Sequence, residues 1–120
     1  MVSMTELAAN QQVVALNEKI LRDNGIELSR DAFVLDFGCG SGRHVYEYLD
    51  QRYENVYGYD VQNFLDLRDP ADGFCFQFDE ANRITRIPFP DEHFDFVYSY
   101  SVFEHVLDQE WAFREIARVL

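Results

Sequence analysis

Between Ala32 and Gly42 an apolar run, Ala32-Phe33-Val34-Leu35-Asp36-Phe37, passes without a break into Gly38-Cys39-Gly40-Ser41-Gly42. The run shows no polar alternation, the pattern of a strand covered on both faces in a parallel sheet. Glycines at alternate positions remove Cβ atoms where the chain leaves that strand. The backbone can then turn tightly, approach a ligand closely and aim N–H groups at negative charge beside a helix N-terminus. A buried strand, a glycine turn and a helix in that order point to a doubly wound α/β sheet with a ligand cradle at the turn.

Ordinary loops also use glycine, so spacing has to discriminate. The dinucleotide fingerprint G-x-G-x-x-G would place its third glycine at position 43, which is Arg43. A P-loop needs Gly-Lys followed by Ser or Thr, and this turn contains no lysine. Neither nucleotide motif matches, and a nicotinamide oxidoreductase is disfavoured on the same ground.

The rest of the chain alternates helix and strand patterns. Thr5 to Asn24 reads as a helix, with Leu7, Val14 and Leu21 at intervals of seven, Thr5 as N-cap and Gly25 as C-terminal stop. Gly42 to Tyr53 spaces Val45, Tyr46, Leu49 and Tyr53 as a second helix. Asn55 to Tyr59, closed by Asp60, is a second strand, Phe74 to Phe78 a third and Phe94 to Tyr100 a fourth, with a closing helix over Asp108 to Leu120. Val61 to Arg68 is a short helix or irregular turn. Pro88 and Pro90 keep Ile87 to His93 out of regular structure.

At 120 residues with 48 % hydrophobic composition, the chain suits one domain with a real core. Twenty-two acidic against 10 basic residues leave a net charge of −12, a field that repels nucleic-acid phosphates and anionic membranes. No window reaches the roughly 18 apolar residues of a membrane span, and the first residues lack a secretory pattern, so the expectation is a cytoplasmic protein with neither nucleic acid nor membrane as partner. Cys39 and Cys75 are too few for a disulfide scaffold and lack metal-ligand spacing. Both are expected to be free thiols. No metal site is expected.

The stretch Val34-Leu35-Asp36-Phe37-Gly38-Cys39-Gly40-Ser41-Gly42 resembles motif I of class I S-adenosylmethionine-dependent methyltransferases, an acid followed by G-x-G-x-G. Asp60 and Phe78-Asp79 stand where that family ends its second and third strands. Ile87-Pro88-Phe89-Pro90-Asp91-Glu92-His93-Phe94-Asp95-Phe96-Val97 resembles the L-P-F-x-D-x-x-F-D motif of its type 11-like, small-molecule subgroup. Ser101-Val102-Phe103-Glu104-His105-Val106 and Arg114-Glu115-Ile116-Ala117-Arg118-Val119-Leu120 agree with the same subgroup.

The resemblance implies S-adenosylmethionine as cofactor, held by Asp36, Gly38, Cys39, Gly40, Gly42, Asp60, Val61, Asp79 and Ser99. The cofactor carboxylate would meet N–H groups of Gly38 to Gly42, and its ammonium Asp36 or nearby carbonyls. Asp60, about 18 residues past Gly42, would accept the ribose hydroxyls. Val61 would pack on adenine, and Asp79 would accept from the adenine amine, with Glu80 an adjacent competitor. Glu104 and His105 can form an acid/base pair. Adjacent residues point differently, however, which favours a structural place for them by the substrate wall, and His105 is the sole catalytic candidate. His44 is either near the methionine end or on a helix surface, and Trp111 and the Phe/Tyr-rich fourth strand read as core rather than acceptor pocket.

Residues 1–30 are expected to pack on the sheet as a helix and linker, and 31–120 to form an incomplete S-adenosylmethionine-binding Rossmann-like domain. The family norm is seven strands in a sheet whose first four are ordered 3-2-1-4. A chain stopping at Leu120 carries four, which leaves the fourth strand as an edge open to completion by further chain, a partner or self-association. The functional expectation is in-line methyl transfer to a small-molecule acceptor. The competing one is a cofactor-binding or regulatory module without catalysis.

Overall fold

The computed structural model describes residues 13–61, 65, 67–68, 75–78, 86–100, 102 and 106–120. Its elements are α1 (Val13–Asp23), β1 (Phe33–Phe37), α2 (Arg43–Asp50), β2 (Asn55–Asp60), β3 (Phe76–Phe78), β4 (Phe96–Tyr98) and α3 (Gln109–Val119). The strands form one sheet in the order β3-β2-β1-β4, every pair parallel, as the resemblance implied. The order reverses between β1 and β4, so the crevice at their carboxyl ends is the topological switch point where open α/β sheets bind ligands.

Continuous apolarity in β1 buries both of its faces. Val34 packs with Val14, Val45, Tyr48 and Val56 on the side of α1 and α2, whereas Leu35 and Phe37 pack with Ile87, Phe94, Ala112 and Val119 on the side of α3. Val34 and Leu35 are both wholly buried.

The helix ends explain where periodicity overshot. Gly25, at φ 76°, stops α1: Ile26 N–H donates to Leu21 O and Gly25 N–H to Arg22 O, a Schellman cap. The second helix was expected to reach Tyr53 but ends at Asp50 through the same cap built without glycine. Arg52 takes φ 71°, Tyr53 N–H donates to Tyr48 O and Arg52 N–H to Leu49 O. The Tyr53 ring then packs edge-on against Tyr48 at 5.0 Å, the apolar contact that accompanies this motif. Thr5 and the start of the first helix lie outside the described residues.

The fourth strand is shorter than the Phe94–Tyr100 expected: Asp95 N–H already donates to Phe33 O of β1, but the residues before it pair with the end of a helix. Glu92 N–H donates to Arg118 O, and those of His93 and Phe94 to Val119 O. Pro88 and Pro90 carry no donor, the Phe89 N–H donates to Ile87 O at 2.7 Å, and side chains hold the rest of the segment in place. Ile87 N–H donates to Glu115 Oε1 at 2.6 Å, while the Arg118 guanidinium donates to the Ile87 and Phe89 carbonyls and to Asp91. Of the third strand, Phe74 lies outside the described residues. Both cysteines are free thiols, and among the described residues no helix is long and apolar enough to cross a membrane.

Candidate functional site

The glycine turn sits at the carboxyl end of β1 and leads into α2. Gly38 and Gly40 both take left-handed backbone, φ 81° and 54°, but for different uses. A Cβ on Gly38 would lie 2.3 Å from a Val102 methyl carbon, so this glycine serves close packing. A Cβ on Gly40 would meet nothing within 4 Å, so its missing side chain opens the turn to a ligand.

Most N–H groups of the turn already have protein acceptors. Those of Gly38 and Cys39 donate to Tyr59 O at 2.7 and 3.0 Å, and that of Gly42 to Cys39 O at 2.9 Å. The Gly40 N–H donates to Asp60 Oδ2 at 2.8 Å, and the Val61 N–H to Asp60 Oδ1 at 2.7 Å. Asp60, at the tip of β2, is therefore aimed at the turn with both oxygens oriented, and each keeps acceptor capacity for a further donor. Val61 beside it is 43 % exposed.

Asp36 lies beneath the turn, level with Gly58 on one neighbouring strand and Tyr98 on the other. It is only 3 % exposed. Burial pushes its carboxyl up to about 7, the adjacent Tyr98 hydroxyl pulls it down, and the charge of Asp60 pushes it further up. The Tyr98 hydroxyl is buried without a hydrogen bond of regular geometry, so its effect on Asp36 is that of a close dipole. Cys39 fills the space that the missing Gly58 side chain leaves, its Sγ 2.8 Å from where a Cβ would stand. Burial and the charges of Asp36 and Asp60 hold its thiol well above the usual range, so it is packing rather than nucleophile.

Ser99, past the end of β4, donates from Oγ to Phe37 O at 2.8 Å and ties the two strand ends together. Tyr100 follows it, its ring 6.2 Å from and edge-on to His44, whose pKa is lowered by burial and by neighbouring Arg43.

The structure thus gathers Asp36, Gly38, Cys39, Gly40, Gly42, Asp60, Val61 and Ser99 at one end of the sheet; Asp79, Glu80, Glu104 and His105 lie outside the described residues. The Phe/Tyr-rich fourth strand was expected in the core, which holds for Tyr98, but the place of Tyr98 and the partly exposed Tyr100 beside Asp36 was missed. The available signal was the alternation Phe96-Val97-Tyr98-Ser99-Tyr100, which sets Tyr98 and Tyr100 on the same side of an extended segment as Asp36. A surface cavity of about 250 Å³ lined by Glu18, Arg22, Ile26, Glu27, Leu28 and Arg30 involves none of these residues.

Chemically, the crevice offers two carboxylates, an open glycine and an exposed aliphatic side chain, and few unused N–H donors. That set favours a ligand combining a cation, vicinal hydroxyls and a flat apolar part over a polyphosphate. Such a set would fit S-adenosylmethionine, the cofactor the resemblance implies, with carboxyl groups available to a cation and Asp60 available to a diol.

The family described as Methyltransferase domain matches residues 35–120. Among solved structures, the YcgJ protein from Bacillus subtilis is 26 % identical with a TM-score of 0.67, over 88 % of this chain and 44 % of that one. An S-adenosylmethionine-dependent methyltransferase from Mesorhizobium loti is 23 % identical with a TM-score of 0.59, over 85 % and 47 %. The [4+2]-cyclase SpnF is 20 % identical with a TM-score of 0.68, over 92 % and 40 %. The chain spans less than half the length of each of these three structures. No curated protein matches it.

Proposed function

The chain belongs to the methyltransferase-domain family, and on that premise we propose that it binds S-adenosylmethionine in the crevice above β1 and serves methyl transfer to a small-molecule acceptor. The observation that carries this reading is the Asp60 carboxylate, oriented by the Gly40 and Val61 N–H groups beside the one glycine of the turn that faces open space. The bound cofactor supplies an electrophilic methyl group on a sulfonium.

The protein's own groups then have mainly to position. Asp60 accepts the ribose diol, Gly40 admits the ligand against the backbone, and Val61 covers an apolar face. Asp36 places negative charge near the cationic end. Alignment of donor and acceptor with exclusion of water supplies roughly 7–11 kcal/mol of such a barrier. The net charge of −12 supports a small acceptor over nucleic acid, and the two free thiols support a cytoplasmic setting.

Titration calorimetry with S-adenosylmethionine and S-adenosylhomocysteine tests the reading. Binding by the parent chain, weakened at least tenfold in Asp60→Ala, is expected. A folded parent chain that takes up neither ligand sinks it. Binding without methyl transfer to any acceptor, in a chain extended to the length of its structural neighbours, would assign the non-catalytic alternative.

A further inference from the structure

Asn17 of α1 is a buried amide, 2 % exposed, with both ends used. Its Nδ2 donates to the Tyr48 hydroxyl of α2 at 2.8 Å, and its Oδ1 accepts from the Tyr100 hydroxyl past β4. Tyr48 is wholly buried and stacks on Tyr98 with ring centroids 5.5 Å apart, and Tyr98 stands level with Asp36. Tyr100 differs from an ordinary surface tyrosine. The residue is 38 % exposed, yet its hydroxyl is anchored inward, and the ring is held at 5.8 Å from Tyr98 and edge-on to His44 at the start of α2. Its ring contact with Tyr98, which stands level with Asp36, places Tyr100 on the Asp36 side of the crevice.

An exposed aromatic face whose far end is tied down costs little conformational entropy when a ligand packs on it. Close to two carboxylates, such a face is also where a cationic group is best received. We propose that the Tyr100 ring is a wall of the ligand crevice that receives the cationic end of the ligand, and that Asn17 is the positioning residue that sets this wall from α1. The ligand part rests on the cofactor reading above; the positioning part does not. Asn17 reaches the crevice through two hydroxyls, directly by that of Tyr100 and at one remove by that of Tyr48, which stacks on Tyr98; pairing its change with Tyr100→Phe isolates the Tyr100 route.

The test is a double-mutant cycle on the full chain with two readouts. Binding of S-adenosylmethionine is measured for the parent, Asn17→Ala, Tyr100→Phe, Tyr100→Ala and the Asn17→Ala/Tyr100→Phe pair. Tyr100→Ala should weaken affinity roughly 3- to 30-fold. Tyr100→Phe, which keeps the ring and loses the tie, and Asn17→Ala should each lose a smaller, similar factor that does not multiply in the pair. Wild-type affinity in folded Tyr100→Ala overturns the wall, and multiplicative losses in the pair overturn the positioning.

The second readout is the His44 titration by NMR, which needs no ligand and which a purely structural staple on α1 would not move. Release of Tyr100 exposes the imidazole, so its pKa should rise toward the ordinary value in Tyr100→Phe and in Asn17→Ala, while Arg43 beside it is unchanged. An unshifted His44 in both variants overturns the positioning. If the parent chain binds no cofactor, and Asp60→Ala is indistinguishable from it, the cofactor reading and the wall fall together, and the His44 shifts still decide the role of Asn17.

Discussion

Asp60 Oδ2 accepts a hydrogen bond from the Gly40 N–H at 2.8 Å, so the acid ending the second strand closes onto the glycine turn leaving the first. The site is thus preorganised by its own carboxylate before any ligand arrives. A hydrogen bond to a charged group contributes about 1.5–3 kcal/mol, so part of the effect of changing Asp60 falls on the turn itself. Asp60→Asn retains shape but offers one acceptor to two N–H donors, Gly40 and Val61. It should lower stability by about 1–2 kcal/mol as well as weaken nucleoside binding. Urea denaturation beside calorimetry separates the two, and unchanged stability would mean that the Gly40 contact does not form in solution.

Asp36 gives the protein a pH dependence of unusual sign. Its carboxyl is raised to about 7 by burial, against an ordinary value of 3.8. Between those values the folded state holds more protons than the unfolded one, so this residue makes stability fall as pH rises and contributes no further change above about 7. At 1.36 kcal/mol per unit the full effect is on the order of 4 kcal/mol. Asp36→Asn should therefore be more stable than the parent at pH 8 and equal to it near pH 4. Thermal melts at both values check this, and a variant less stable at pH 8 would show the ionised carboxylate to be stabilising.

The extent to which the sequence was readable follows from the range of the interactions. The glycine turn and the strands beside it depend on patterns within a few residues, and they were legible; the strand order came only with the family resemblance. The partner of the Gly40 N–H was not, because the sequence shows an acid at position 60 without the direction of its side chain. Asn17, Tyr48 and Tyr100 meet across 31 and 83 positions, and no periodicity marks an asparagine on a helix as a tie between tyrosines. The Pro-rich segment was read for its resemblance; its tie to α3 through Glu115 and Arg118 depends on a tertiary contact of 28 positions or more.

Gly40 and Gly58 should respond to alanine in opposite ways. At Gly40 the new methyl enters open space, and only the left-handed backbone resists it, about 1–2 kcal/mol. Binding should suffer more than stability there, since the methyl occupies the ligand's approach. A Cβ on Gly58 would lie 2.7 Å from the Phe76 ring and 2.8 Å from Cys39, inside a packed core. Overpacking of this kind costs about 1–3 kcal/mol and should displace Cys39 from under the sheet. Thiol reactivity toward a maleimide should rise in Gly58→Ala alone; equal reactivity in both variants would refute the packing role of Cys39.

The Schellman cap at Arg52 is a site for stabilisation. Arginine at φ 71° bears a left-handed penalty of about 1–2 kcal/mol that glycine escapes, offset in part by the extra freedom glycine has in the unfolded chain. Arg52→Gly should raise stability by about 0.5–1 kcal/mol, read as a higher denaturation midpoint with unchanged slope. A lower midpoint would show that the Arg52 side chain holds a contact worth more than the strain.

Arg118 joins the Pro-rich segment to the last helix, and its removal should show whether that segment is architecture. Its guanidinium donates to Glu115 at 2.9 Å, to Asp91 at 2.7 Å and to the Ile87 and Phe89 carbonyls, while Glu115 holds the Ile87 N–H. Hydrogen bonding from Arg118 holds the Glu115 and Asp91 carboxyls below their ordinary values. Depressed carboxyls stabilise above the unfolded range near pH 4.5 and lose that contribution as pH falls through their folded values. Arg118→Met strands a nearly buried carboxylate and the Phe89 carbonyl, the Ile87 carbonyl keeping the Phe89 N–H, which should cost roughly 2–4 kcal/mol at pH 7. The deficit should shrink toward pH 4, where protonation of Glu115 removes the unpaired charge, and adding Glu115→Gln should recover part of it at pH 7. A deficit that is the same at both pH values would mean that lost packing, not the stranded charge, sets the cost. Cofactor affinity in the folded fraction should be unaltered, because none of these groups is among the residues gathered at the glycine turn.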